Sequence, residues 1–325
     1  MKRVIEYRQL LQILTLFMIV QFAGLLIAVV FYNTVPISVS TISFKPSFNF
    51  TLISALLYVI IIVIFSIILI FIFKKFKSNK IFYLIEAYII FVSTFFIFWL
   101  LTRLITNTKL FYLFGNTITT SIAISAILSI GLIIAKNKYQ KLRNTVAILA
   151  SIGVGALIGL NFPFYFAFIF MVFLAVYDFI AVFITKHMIT MAKAVSEKNL
   201  AFLIGVNEIE ALDKSNFTKQ ELEEYNKEKK YINQTAIHKL INKNMLPVAA
   251  RIELGTGDLA VPLMVAISAL PNIKLSFFII FGSIFGLILT MLILKKYKRA
   301  LPAIPPLLFG ICVSLLIYFF LFHAL

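Results

Sequence analysis

Residues 165–185 read YFAFIFMVFLAVYDFIAVFIT, and Asp178 is the one charged side chain among them. A helix of that length covers about 30 Å at 1.5 Å per residue, the hydrocarbon thickness of a bilayer. The stretch therefore reads as a membrane span, and it carries an ionisable group in its interior. Eight further apolar runs of similar character lie at 9–32, 51–73, 81–101, 111–135, 145–160, 247–270, 275–294 and 301–323. The pattern predicts an all-α membrane protein of nine transmembrane helices.

Composition excludes a soluble protein. Of the 325 residues, 62% are hydrophobic and only 13% charged, against roughly 45–50% and 25% in soluble domains. The first run is too long for a signal-peptide core and no small-residue cleavage site follows it, so it reads as a retained helix anchored by Lys2, Arg3 and Arg8. Cys312 is the only cysteine, and His187, His238 and His323 are scattered, so neither a disulfide framework nor a zinc site is expected, and no cofactor is implied.

The net charge of +17 does not indicate nucleic acid, because the basic residues sit between apolar runs without interleaved aromatic platforms. They mark topology and face anionic lipid headgroups. Counted by alternate sides of nine spans, 25 Lys and Arg fall with the N-terminus and the 186–246 connection, and 4 fall opposite. The positive-inside rule then places the N-terminus and that connection in the cytoplasm and the C-terminus outside, as in a multi-pass protein of the cell membrane. The organisation expected is a five-helix scaffold over 1–160, then a catalytic membrane region over 161–325 that contains the cytoplasmic loop 186–246. Within the loop, 187–200 and 221–241 read as surface helices joined by a linker.

Outside that loop and apart from Glu6, four acids lie at membrane depth: Glu86, Asp178, Glu253 and Asp258. A carboxylate at the bilayer centre costs about 2.5–3.5 kcal/mol, so each must face a partner, a wet cavity or a chemical task. Interfacial snorkelling or pairing accounts for Glu86 and for Glu253 beside Arg251. The aspartates lie deeper, and neither has Lys or Arg within a helical turn. Asp178 is seven residues before the end of the sixth span, about 10 Å, and Asp258 eleven residues into the seventh, about 16 Å. These antiparallel neighbours bring the two carboxyls to similar depth, where both cannot ionise cheaply. One keeps its proton, and an acid and a base stand side by side, as in aspartic proteases.

Two further stretches bear on this pair. Gly255-Thr256-Gly257-Asp258 places two glycines before a buried carboxyl, where backbones can approach closely. Ordinary small-residue packing would give the same string. The ninth span opens Leu301-Pro302-Ala303-Ile304-Pro305-Pro306, and its prolines forbid regular hydrogen bonding, so the helix is expected to start at Pro305 or Pro306. Irregular backbone over 301–304 must border protein or a wet cavity, where an extended substrate strand can pair.

Tyr177-Asp178, Gly255-Thr256-Gly257-Asp258 and Ala300-Leu301-Pro302-Ala303-Ile304-Pro305, in that order, resemble the presenilin and signal peptide peptidase family of intramembrane aspartyl proteases. The segment 188–205 also resembles the presenilin stretch after the sixth helix. The resemblance covers the C-terminal half, and the first five spans match in number and orientation. It implies that Asp178 and Asp258 are the catalytic pair and that Tyr177, Gly255, Thr256 and Gly257 line the substrate site. Leu301, Pro302, Ala303 and Ile304 would hold the scissile segment. Ile304 departs from the leucine of the family's Pro-Ala-Leu motif, which bears on substrate fit. N-in, C-out topology is that of presenilin, implying substrates with an outside N-terminus.

The function expected is cleavage of peptide bonds within single-span membrane proteins, with membrane lipid as the surrounding partner, no nucleic acid, and no obligatory protein partner indicated. Two alternatives use the same aspartates. A prepilin-type peptidase shares the glycine-aspartate string but lacks the proline motif. A proton- or cation-coupled transporter would show repeated halves with paired broken helices, and no repeat at a fixed offset is present.

Overall fold

In the computed structural model, the described residues are 7–34, 52–57 with isolated positions 60, 61, 64 and 68, then 79–106, 117–139, 142–185, 201, 203–213, 245–297 and 301–323. Among them the helices are α1 (Tyr7–Thr34), α2 (Asn79–Thr106), α3 (Thr117–Lys138), α4 (Arg143–Asn161), α5 (Phe164–Phe179), α6 (Thr256–Ser268), α7 (Ile273–Tyr297) and α8 (Ile304–His323). A π-helical turn, Ile180–Ile184, continues α5. Seven helices are long and apolar enough to cross a membrane, and α6 is a shorter apolar helix. The second run, 51–73, is helical wherever it is described, and most of it lies outside the described residues.

The all-α expectation needs correction. Strands β1 (Leu203–Asp213) and β2 (Met245–Gly255) pair antiparallel, from Leu203 opposite Gly255 to Asp213 opposite Met245. The seventh run is thus not one helix over 247–270: its first part is strand and only Thr256–Ser268 is helix. The sequence carries the reason. Pro247 disfavours helix, and Val248, Ala250, Ile252 and Leu254 alternate with Ala249, Arg251 and Glu253 at the period of a strand. The 186–246 connection likewise contains β1 and the start of β2 rather than loop alone, while the helices expected at 187–200 and 221–241 lie outside the described residues.

Helix α6 is the buried centre of the bundle. Leu259, Leu263, Met264, Val265, Ala266 and Ile267 are all at most 1% exposed, as expected for a helix that is apolar on every side. It packs on α4, α1, α7 and α5. Its 13 residues rise only about 20 Å, some 10 Å short of a bilayer's hydrocarbon core. The chain enters α6 from strand β2, whose inner edge is hydrogen-bonded to β1.

Glycines set the closeness of these contacts. A Cβ on Gly159 of α4 would lie 2.7 Å from Ile267 Cβ and 2.8 Å from Met264 O, and one on Gly155 would lie 3.1 Å from Ala260 O. The spacing Gly155-x-x-x-Gly159 lets the two backbones touch, as small residues do between membrane helices. Gly282 and Gly286 of α7 meet Gly310 of α8 in the same way. Gly159→Ala is expected to lower stability by about 1–3 kcal/mol through overpacking. Gly131→Ala in α3, where nothing lies within 4 Å, should be neutral or raise it by about 0.5–1 kcal/mol through helix propensity. Thermal unfolding in one detergent compares the two, and equal shifts would contradict the tight seam.

Candidate active site

Asp178 sits one residue before the end of α5, and its side chain is 2% exposed. The π-turn starts two residues later, with the Thr185 N–H donating to Ile180 O at 3.0 Å. Such turns insert one residue into the helical repeat and recur at functional sites. The regular sixth span expected over 165–185 is thus interrupted just after its acid.

The partner of Asp178 is the start of α8. The Ile304 N–H donates to Asp178 Oδ2 at 3.2 Å, and the Ala303 N–H lies close enough to favour the same carboxylate. Proline chemistry explains why this helix end can be buried. The first N–H groups of a helix have no partner within it, but Pro305 and Pro306 have no N–H to satisfy. What remains is given to a carboxylate, which also suits the positive end of the helix dipole. The helix begins at Ile304, one residue earlier than expected, because proline is tolerated in a first turn. The irregular stretch is therefore Leu301–Ala303 rather than 301–304. Pro302, Ala303 and Ile304 are buried and Leu301 half-buried.

Asp258 is the third residue of α6, in its first turn, not eleven residues into a helix. Gly255 is the N-cap, with extended backbone at φ −67° and ψ 142°. Its N–H lies close enough to favour the Asp258 carboxylate, in the position of the backward arm of a capping box. A Cβ on Gly255 would lie 3.1 Å from Asp258 Oδ2, whereas one on Gly257 would meet nothing within 4 Å. Gly255 thus makes room for the carboxyl, and Gly257 is an exposed position beside it. Thr256 between them and Tyr177 beside Asp178 are half-buried.

The two carboxyls are near enough for the Asp178 charge to act on Asp258. Asp178, Asp258, Gly255, Ala303 and Ile304 are thereby joined by hydrogen bonds or charge, while Tyr177, Thr256, Gly257, Leu301 and Pro302 are their chain neighbours. Two adjacent acids, one clamped by backbone donors and the other beside an open glycine, form an arrangement able to hold and exchange a single proton.

Sequence reasoning did not single out Gln21. This α1 residue is fully buried and donates Nε2 to Leu259 O at 2.9 Å, pinning the turn that follows Asp258, while its Oε1 has no partner among the described residues. The available signal was an amide inside an apolar run. Glu86, expected to snorkel or pair, is paired: its carboxylate meets Lys136 Nζ at 2.5 Å with both side chains buried.

The sequence profile described as "Signal-peptide peptidase, presenilin aspartyl protease" matches residues 14–324. No curated protein matches the chain. Among solved structures, one described as a presenilin family intramembrane aspartate protease matches with a TM-score of 0.55 and 16% identity, covering 95% of this chain and 96% of that one. A second crystal form under the same description gives a TM-score of 0.56, 17% identity, and coverage of 94% and 96%. At these identities the structures speak for the fold, and the profile, which spans nearly the whole sequence, speaks for the family. The chain is a multi-pass integral membrane protein that belongs to the signal-peptide peptidase and presenilin family of aspartyl proteases, and is an aspartic endopeptidase.

Proposed function

We propose that this protein cuts peptide bonds inside transmembrane segments of single-span membrane proteins, with Asp178 and Asp258 as the catalytic pair. The observation that carries the reading is the convergence of two acids from separate helices of an apolar bundle, one of them held by the Ile304 N–H that opens α8. The ionised aspartate takes a proton from water as its oxygen attacks the scissile carbonyl carbon, and the protonated one donates to the carbonyl oxygen. In the second step the aspartate that took the proton from water gives it to the amine nitrogen, the C–N bond breaks, and a hydroxyl proton of the gem-diol passes to the other aspartate, so that the pair again shares one proton.

Tyr177, Gly255, Thr256, Gly257, Leu301, Pro302, Ala303 and Ile304 line the substrate in this reading. Leu301 and Pro302 lie outside α8 in irregular chain, where an unwound substrate strand could pair. Residues 1–160 form the scaffold and 161–325 the catalytic region. The protein has nine spans with a cytoplasmic N-terminus and an outside C-terminus, which favours substrates whose N-terminus is outside. A peptide substrate reconstituted in both orientations tests this part. Cleavage confined to molecules with the N-terminus on the C-terminal side of the enzyme is expected, and equal cleavage of both would overturn the orientation.

Sharing one proton also fixes the form of the pH dependence. Cleavage requires one carboxyl protonated and one ionised, so kcat should fall towards acid as both protonate and towards alkali as both ionise, a bell belonging to the pair. Initial rates in vesicles across the range where the protein stays folded check this. A flat profile would contradict acid–base cleavage by the pair.

A further inference from the structure

The sheet that leads into Asp258 is gripped at its membrane end by residues from three N-terminal helices. Glu86 of α2 accepts the Ala201 N–H at 2.5 Å through Oε1, while its Oε2 meets Lys136 Nζ of α3 at 2.5 Å. Asn144, in the first turn of α4, donates Nδ2 to Gly205 O at 3.0 Å. Ala201 and Gly205 bracket the start of β1, where Leu203 pairs with Gly255 and Ile204 with Leu254. Gly255 is in turn the N-cap whose N–H holds Asp258. The Glu86 grip on Ala201 thus lies two residues before Leu203, whose partner Gly255 is the N-cap of the helix that carries Asp258.

We propose that Glu86, Lys136 and Asn144 are positioning residues that clamp 201–205 and so fix the sheet register that delivers Gly255 and Asp258 to Asp178. Two features indicate a task beyond stability. A buried ion pair is commonly no more stabilising than apolar side chains of the same volume. Asn144 Oδ1 is buried with no partner among the described residues, and an orphaned acceptor is destabilising, so an apolar residue would serve packing better. What an apolar residue cannot do is hold the Ala201 N–H or the Gly205 carbonyl in place.

The proposal rests on the protease reading, and the test separates the two. Three variants are compared with the unmodified protein for unfolding temperature, kcat and KM on one transmembrane peptide. Glu86→Leu/Lys136→Met removes the pair together with the acceptor of the Ala201 N–H. Glu86→Gln/Lys136→Gln replaces the ion pair by an amide–amide bond and keeps a carbonyl for Ala201. Asn144→Leu removes the second grip and its orphaned oxygen. The apolar pair and Asn144→Leu should stay folded at the assay temperature yet lose kcat by about 10- to 100-fold, the effect of a small misplacement of a catalytic group, with KM little changed. The amide pair should recover most of kcat, a rescue that a purely structural role does not predict. Equal kcat in the apolar and amide pairs, or full kcat in Asn144→Leu, overturns the clamp. If the apolar pair fails to fold, Asn144→Leu decides alone. If the unmodified protein cuts nothing, it is the protease reading that fails.

Discussion

Asp178→Ala and Asp258→Ala should each reduce cleavage by about 10⁴-fold or more, because removing one member of a unit that acts together costs nearly as much as removing all of it. Both variants should remain folded. Asp178 is the acceptor for the N–H groups at the start of α8, so its loss leaves donors unsatisfied, but the α7–α8 glycine contacts persist. Among the described residues, the Gly255 N–H is the group that favours the Asp258 carboxylate. Asn replacements should fail as completely as Ala, since an amide accepts hydrogen bonds but does not cycle a proton. The double variant should be no slower than the worse single one. Cleavage near the unmodified rate in either single variant would show that the pair is not the catalytic unit.

Ile304→Pro should lower kcat by about 10- to 100-fold, the value of one hydrogen bond to a charged group at about 1.5–3 kcal/mol. Proline is favoured at the first position of a helix, and Ile304 is the first residue of α8, so the fold should tolerate the change. What disappears is the N–H that reaches Asp178 Oδ2 at 3.2 Å. Ile304→Leu keeps the donor and alters only the side chain, so it should lose far less. Kinetics on one peptide with unfolding temperatures alongside check both. Equal losses in the two variants would assign the effect to side-chain packing.

The helical bundle was legible because apolar runs long enough to span a bilayer leave few alternatives. What misled was the seventh run, where Val248, Ala250, Ile252 and Leu254 satisfy an apolar count while alternating at the period of a strand. The deciding contact, Leu203 with Gly255, joins positions far apart in the chain, and local pattern cannot show it. The aspartates were legible because an unpaired acid in an apolar run needs a reason. The depth expected for Asp258 assumed one long helix, whereas it lies in the first turn of the short α6. The prolines of 302–306 were read correctly as an interruption, but their use in clearing donors from a buried helix end emerges only when Asp178 is seen there. Glu86 and Lys136 lie on different helices, and nothing in the sequence pairs them.

The central claim is that a two-aspartate unit inside this bundle hydrolyses a peptide bond within a transmembrane segment. The most direct test incubates the purified protein in lipid vesicles with a single-span peptide and identifies the products by mass, with and without a hydroxyl-bearing transition-state analogue of aspartic proteases. The account predicts a cut within the apolar segment, blocked by the analogue and absent from Asp178→Ala and Asp258→Ala preparations. The same fragments appearing from either variant preparation, or persisting at saturating analogue, would contradict it.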